Sequence, residues 1–491
     1  MAESKEERAP AVPESNGLVV KKDLDQVLTE LGFGWYQITL VLICCVGNLA
    51  DAMEVTLLSF LSPCAEVEFG LSDFQTSFLT GIVFVGEVLG ALIFGKLADH
   101  KGRRYAYVIA LVVIVVFGVL TFFTTTYTEL VICRGCAGLG LGAGLVPFDY
   151  VSETVPASMR GMACMLNGVC WGLGSMFTAG MAWLFLDDYG WRFLALMCTM
   201  VPLAALLAVF TITESPRWLL NQGRAEEATK AVQVAAKRNG IDLGDFSLNA
   251  YPSPPGHEEG KIAEMFKGSL RRPTALLSLL WLVHGFTYYA IVLMISDIFE
   301  ENDGCSFSYS DIFTSTASEP VMVFLAVFYI DLSRRWANAA NYALAAIAMV
   351  FLGVSFGSIT VTAVLAFIAR GTIRAASAAT WTLTPELYPT EIRTSTHAVF
   401  YVISRTGAYA SAYIVYTSLT DEEIDIVIAA ITACGVILSL AFEETAGLSL
   451  DEMQIPTPDR PKQRKKYGNG AFFQRKKPAD SREESLIANV A

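Results

Sequence analysis

The chain has 491 residues, of which 53% are hydrophobic and 17% charged, with a formal net charge of −13 and a mean hydropathy of +0.46. A soluble protein of this length would carry nearer about 25% charged residues, and here the deficit is concentrated. No charged side chain occurs in 105–128, 161–186, 193–213, 273–296 or 336–369. Apolar runs of about 18 residues or more span a bilayer as helices, because only a helix satisfies its own backbone groups in hydrocarbon. A soluble enzyme, a nucleic-acid binder and a secreted disulfide module are excluded as the main reading.

In chain order, 1–33 reads as a polar, acidic N-terminal tail without the apolar core of a cleavable signal. Twelve spans are then predicted: 36–60, 75–97, 104–126, 130–150, 161–186 and 193–213, followed after a break by 273–297, 311–330, 337–357, 360–382, 395–417 and 425–442. They define an N-terminal six-helix bundle (34–213), a polar linker (214–272), a C-terminal six-helix bundle (273–442) and a tail (443–491). Of the 35 Lys and Arg, 30 fall in the tails or in or at the edges of the 2–3, 4–5, 6–7, 8–9 and 10–11 connections, Lys96 and Arg104 being the two at span edges. Cytoplasmic loops retain these residues, so both termini are expected in the cytoplasm. The opposite loops carry acids such as Glu66, Glu68, Asp187 and Asp188. Cys64 and Cys305 both fall in outer loops, and whether they pair is left open. No Asn-x-Ser/Thr sequon occurs, so no N-linked glycan is expected.

The halves repeat. Asp99-His-Lys-Gly-Arg-Arg104 follows span 2 and Asp331-Leu-Ser-Arg-Arg335 follows span 8, an offset of 232. Glu153-Thr-Val-Pro-Ala-Ser-Met-Arg160 follows span 4 and Glu386-Leu-Tyr-Pro-Thr-Glu-Ile-Arg393 follows span 10, an offset of 233. Two six-helix halves with a substrate site between them near the midplane are the major facilitator architecture.

The motifs carry a resemblance. Gly95-Lys-Leu-Ala-Asp-His-Lys-Gly-Arg-Arg104 resembles the loop 2–3 signature of the major facilitator superfamily, and Arg134-Gly-Cys-Ala-Gly-Leu-Gly-Leu-Gly142 its fourth-helix motif. Glu214-Ser-Pro-Arg-Trp-Leu-Leu220 and Glu444-Thr-Ala-Gly-Leu-Ser-Leu450 are similar to the motifs that end each half of sugar and organic-ion porters. Asp51-Ala-Met-Glu-Val-Thr-Leu-Leu-Ser59, Thr287-Tyr-Tyr-Ala290 and Thr384-Pro-Glu-Leu-Tyr-Pro-Thr390 place the likeness in the branch of synaptic vesicle two-related proteins and organic cation/carnitine-type transporters. Span 7, Trp281-Leu-Val-His-Gly-Phe-Thr-Tyr-Tyr289, lacks the glutamine pair of sugar porters. The resemblance implies a gate network at the cytoplasmic ends that latches the two halves with the outside open. Its expected members are Gly95, Asp99, Gly102, Arg103, Arg104, Glu153, Arg160, Glu214 and Arg217, then Asp331, Arg335, Glu386 and Arg393. The glycine is missing from the second copy, where Ser333 precedes Arg334, which predicts a weaker latch there.

Charges within spans point to function, since each costs about 2.5–3.5 kcal/mol at the bilayer centre on insertion scales. Asp51 and Glu54 lie three apart, on one face of helix 1, where they suit proton coupling or a cationic solute and disfavour simultaneous ionisation. The resemblance favours Asp51, because proton-coupled sugar porters carry an acid at a comparable place. Glu87 lies mid-span 2, Arg134 early in span 4, and Arg370 and Arg374 one turn apart in span 10. An arginine facing a cavity would grip a carboxylate with its fork. Arg405 and Asp297 are secondary candidates. Tyr288 and Tyr289 are the favoured aromatic wall, ahead of Trp381, Tyr401 and Tyr409, while His284 and His397 read as packing residues.

Gly138-Leu-Gly-Leu-Gly142 imitates a nucleotide-binding loop but sits inside a span without a βαβ setting, so its small residues are read as helix contacts. Lys462-Gln-Arg-Lys-Lys466 and Arg475-Lys-Lys477 suit attraction to anionic lipid. The reading is an all-α polytopic membrane protein and not an enzyme: a secondary transporter of a small organic solute, cation or carboxylate, coupled to protons and working by alternating access. No cofactor, metal or nucleic acid is expected, and the partners are the solute, H+ and the bilayer, with a monomer as the functional unit. A transport-inactive sensor or vesicle scaffold and a sugar/H+ symporter are the alternatives.

Overall fold

The structure is a computed structural model, and it describes residues 20–249, 262–301, 304–330, 332–354, 358–388, 392–417 and 419–445. The basic tail at 462–466 and 475–477, and Asp331, lie outside the described residues, as do the side chains of Arg160 and Arg393.

Helix α2 (Trp35–Phe69) runs well past the expected span and stops where Gly70 turns into the left-handed region at φ 62°. Helix α3 (Asp73–Lys101) starts on a reciprocal capping pair of Ser72 and Gln75, which satisfies two orphan amides at once. It is followed by α4 (Arg103–Phe122). The expected fourth span is two pieces: α5 (Tyr127–Leu141), a tight turn at Gly142–Gly144, and α6 (Leu145–Thr154). Pro147 has no amide to bond to the preceding turn, and the glycines beside it make the interruption easy. Spans 5 and 6 run together as α7 (Ala157–Ala208), which is folded at Gly190 (φ 77°) where the connection was expected.

The second half holds α10 (Arg271–Ile298), α11 (Tyr309–Tyr329), α12 (Arg334–Gly353), α13 (Ile359–Glu386), α14 (Arg393–Val415) and α15 (Asp421–Ala441). Among the described residues ten helical stretches are long and apolar enough to cross a membrane, with α7 counted once and α14 not among them. Helix α14 carries Arg405, His397 and a run of hydroxyl side chains that lower its hydropathy, and its buried face packs on the other half.

The halves meet along three contacts, α3 with α14, α7 with α11, and α2 with α10. Glycines bring the backbones together within each half. A Cβ at Gly86 of α3 would lie 2.2 Å from the carbonyl of Gly135, and one at Gly138 would lie 2.2 Å from that of Val83. The glycine run of span 4 is therefore a helix–helix contact, and it fixes the stretch of α3 that carries Glu87.

The N-terminal tail and the linker, expected as separate polar segments, are built together. Strand β1 (Val20–Lys22) pairs in parallel with β2 (Phe246–Leu248), Val20 opposite Phe246. Helix α1 (Leu24–Leu31), capped by Asp23, buries Leu24, Val27, Leu28 and Leu31. These pack with apolar residues of α8 (Pro216–Asn221) and α9 (Ala225–Asn239). Asn239 accepts from the Tyr36 amide at 2.9 Å, joining this layer to the first long helix. At the opposite end of the bundle Cys64 and Cys305 form a disulfide, their Cα atoms 4.5 Å apart. It ties α2 of one half to the segment that follows α10 of the other.

Candidate functional site

Among the described residues, all the buried charged side chains but Asp425 of α15 form three sets. In the first, Arg134 grips Glu54 with both carboxylate oxygens, at 2.7 and 2.9 Å, and donates to Thr121 at 2.8 Å. All three side chains belong to the first half. A cavity of about 20 Å3 lies beside them, lined by Glu54, Arg134, Cys198 and Thr199 among others.

The second set crosses between the halves. Arg405 of α14 pairs with Asp51 of α2 and lies 2.6 Å from Glu87 of α3. It also donates to Tyr401 at 2.7 Å and to Tyr289, with their rings 4.6 and 5.3 Å from the guanidinium carbon. Asp51 and Arg405 are each 2% exposed and Glu87 is wholly buried. One arginine therefore serves two carboxylates. Asp51 Oδ1 and both Glu87 oxygens have no hydrogen-bond donor aligned on them.

The third set also crosses the interface. Arg370 of α13 donates through Nε to Glu319 of α11 at 2.7 Å. Glu319 accepts also from Tyr288 of α10 at 3.2 Å and from Ser175 of α7 at 3.4 Å. Trp171 of α7 donates to the Tyr288 hydroxyl at 2.5 Å. Arg374, one turn along from Arg370, donates to Ser377 at 2.9 Å and to the Gly168 carbonyl at 3.1 Å, and its guanidinium lies 5.1 Å from the Trp171 ring centre. Among the described residues no carboxylate lies within ion-pair distance of Arg374.

The expected residues Asp51, Glu54, Glu87, Arg134, Arg374, Tyr288 and Tyr289 are thus all buried near the axis, but in separate sets. Asp51 and Glu54 take different arginines, and it is Glu54 that meets the arginine of the fourth-helix motif. Glu319 was missed, although an acid in the middle of span 8 met the criterion that singled out Glu87. Arg405, ranked low from sequence, is the hub of the second set. Tyr409 lies away from all three, hydrogen-bonded to Tyr413 at the α3–α14 edge. His284 and His397 pack in an aromatic group with Trp281 and Trp381.

At the end of the bundle that carries the loop motifs, the gate residues form two matching brackets. In the first half Arg103 donates to Asp99 at 2.6 Å and to Glu153 at 3.1 Å. Glu214 caps the start of α4 through the Arg104 amide at 3.0 Å, and Ser215 donates to Glu153 at 2.5 Å. Gly102, at φ 109°, is required here, because a Cβ would lie 2.3 Å from a Glu214 oxygen. Gly95 has open space beside it, so close approach explains only the second of the two glycines. Arg217 lies outside the bracket and pairs with Asp25 of α1.

In the second half Arg334 reaches Glu386 at 3.3 Å, Glu444 accepts from the Arg334 amide at 2.8 Å, and Thr445 donates to Glu386 at 2.6 Å. The expected Arg335 instead reaches the Phe442 carbonyl at 3.4 Å; the repeat is shifted by one, and Arg334 holds the place of Arg103. Ser333, standing for the missing glycine, donates to Glu444, so Glu444 is held there without a glycine. These contacts lie within one half and brace each bundle; Asp331 and the side chains of Arg160 and Arg393, also expected in this network, lie outside the described residues.

Two repeated halves of like orientation, meeting around buried charges, define a multi-pass integral membrane transporter with the major facilitator fold. The chain belongs to the sugar (and other) transporter family, whose model matches residues 35–455. It is 31% identical to the organic cation/carnitine transporter 7 of Arabidopsis thaliana over 430 residues, 78% of this chain and 86% of that one. It is 27% identical to the synaptic vesicle 2-related protein of Rattus norvegicus, over 87% and 82% of the two chains. The fold is similar to that of the xylose transporter XylE from E. coli in an inward open conformation, with TM-score 0.68 and 19% identity over 85% of this chain and 99% of that one. A crystal structure of a D-xylose-proton symporter gives TM-score 0.63 at 18% identity.

Proposed function

We propose that this protein is a proton-coupled secondary transporter of a small organic solute, working by alternating access as a monomer. Twelve crossings are counted when α7 is divided at Gly190 and α14 is included, which puts both termini on one side, the cytoplasmic side by the distribution of Lys and Arg. The observation that carries the reading is Arg405 held between Asp51 and Glu87 across the two halves. Separating the halves would leave two buried carboxylates without their cation, a cost of several kcal/mol. A proton taken up by either acid lowers that cost, so protonation and opening favour one another. Such reciprocity is what coupling requires. The fold likeness to a D-xylose-proton symporter agrees with this reading without naming the solute.

The test is uptake into proteoliposomes, against protein-free liposomes, of a panel of organic cations, monocarboxylates and sugars under an inward proton gradient. Wild type should accumulate one class, and Asp51→Asn should lose the proton-driven part alone. Equal accumulation by both proteins would remove Asp51 from the coupling step. Binding without movement of any compound would favour a transport-inactive sensor, and accumulation of a hexose or pentose alone would make the protein a sugar symporter.

A further inference from the structure

Arg370 is fully buried and Arg374 is 8% exposed, yet neither is satisfied. Both terminal nitrogens of Arg370 and the Nε of Arg374 have no hydrogen-bond acceptor. Buried donors are nearly always paired, and each left unpaired is costly. Among the described residues Glu319 is the one carboxylate within hydrogen-bond distance of the two arginines, and it takes only the Nε of Arg370. This set therefore carries two guanidiniums and one carboxylate, a formal charge of +1. The Asp51–Glu87–Arg405 set carries two carboxylates and one guanidinium, a formal charge of −1. Glu54 and Arg134 cancel.

We infer that Arg370 and Arg374 form the seat for the carboxylate of an organic acid, and that one such anion is carried with one proton placed on Asp51 or Glu87. The inference rests on the transporter reading above and gives its solute a class. The two additions complete each other: the anion cancels the surplus positive charge and supplies acceptors for the orphaned N–H groups, while the proton cancels the surplus negative charge. A quaternary cation would neutralise the acids but has no acceptor to offer the arginines. A neutral sugar would leave both imbalances in place. The neighbouring aromatics favour a flat acid, because the Trp171 indole already faces the Arg374 guanidinium and the Tyr288 ring lies 5.8 Å from Trp171. A planar carboxylate matches the guanidinium fork, and an attached ring could stack on these aromatics.

The probes are three compounds of one shape and different charge: benzoate, benzamide and benzyltrimethylammonium. Calorimetric titration of the purified full chain in detergent should give benzoate the tightest binding. Arg374→Gln should weaken benzoate by at least about tenfold, the loss of a charge-assisted hydrogen bond, and leave benzamide unchanged. Arg374→Lys should recover only part, since an ammonium cannot form the fork. Thermal unfolding of each variant checks that it folds, and Arg370→Gln combined with Glu319→Gln tests the second arginine without stranding its acid. Currents on a supported membrane supply the second readout. Benzoate carried with one proton is electroneutral, so a benzoate jump should move no net charge in wild type.

Tighter binding of benzyltrimethylammonium than of benzoate, or benzoate binding indifferent to both variants, would overturn the seat. If a sugar or cation accumulates with protons while benzoate neither binds nor moves, the seat is wrong and the transporter reading survives. If benzoate binds through Arg374 but its transport carries charge, the seat stands and the pairing with one proton falls.

Discussion

Asp51 and Glu54 lie one helical turn apart on α2, and each faces an arginine, but the two ion pairs belong to different parts of the machine. Glu54 meets Arg134 within the first half, with both oxygens engaged and a threonine accepting from the arginine's other terminal nitrogen. Asp51 meets Arg405 from the second half and shares it with Glu87. A pair inside one rigid bundle can persist through a conformational cycle, whereas a pair between bundles must be remade at each opening. Under the proposed cycle, two buried acid–arginine pairs on one helix therefore have different duties, and the side of the interface on which the partner sits decides which.

The comparison can be broken by removing each arginine. Arg134→Leu leaves Glu54 buried and unpaired, and should destabilise the fold by about 3–5 kcal/mol, read as a lower unfolding temperature in detergent. Replacing the pair together, Glu54→Met with Arg134→Met, should recover most of that loss, because well-packed apolar residues often replace a buried ion pair without penalty. If the Glu54 pair is a brace, the double variant should also transport. The matching change at the interface, Asp51→Met with Arg405→Met, should recover stability but leave proton-driven uptake down at least about a hundredfold, a barrier increase of near 2.7 kcal/mol. Normal coupled uptake in that second double variant would end the distinction.

A second comparison lies along the molecular axis. The end with the loop motifs is braced within each half by hydrogen bonds and ion pairs, while the opposite end is tied between halves by the Cys64–Cys305 disulfide. Cys64→Ser should cost about 2–4 kcal/mol of stability. It should also free the α2 end from the segment after α10, so that spin labels placed on Glu66 and Asp311 show a broader distance distribution. An unchanged distribution would mean that noncovalent contacts alone, such as Ser59 with Ser296 at 2.8 Å, hold that end together.

Much of this was legible in the sequence. Charge-free runs marked the spans, and the offset repeats marked the halves, because both follow from local composition and from motifs close in the chain. Pairing was less legible, since it depends on which face of one helix meets which face of another. Nothing in Asp51-Ala-Met-Glu54 says that the two acids take partners 354 and 80 residues away, as the structure records. Glu319 illustrates a different loss: its span is recognised, but the acid within it is not among the residues singled out. The N-terminal layer was hidden because β1 and β2 are three residues each, too short for a period to be read, and lie more than two hundred residues apart.

The smallest expected effect concerns the two brackets. Gly102 and Ser333 occupy equivalent places, yet they admit the acid of Glu214 and Glu444 by different means. Gly102 does so by having no side chain at φ 109°. Ser333 sits in extended backbone at φ −166°, caps α12 through the Trp336 amide, and gives its hydroxyl to Glu444. Gly102→Ala should therefore cost about 1–3 kcal/mol, the strain of a residue held in a sparsely populated backbone region, with the displaced Glu214 adding to it. Ser333→Gly should cost less, about 0.5–1.5 kcal/mol for the lost hydrogen bond, because its backbone needs no glycine. Unfolding temperatures of the two variants decide the matter. Equal losses would mean that the brackets are held by their arginine–acid pairs alone, and a larger loss at Ser333 would make the cap of α12 the dominant element of the second half's bracket.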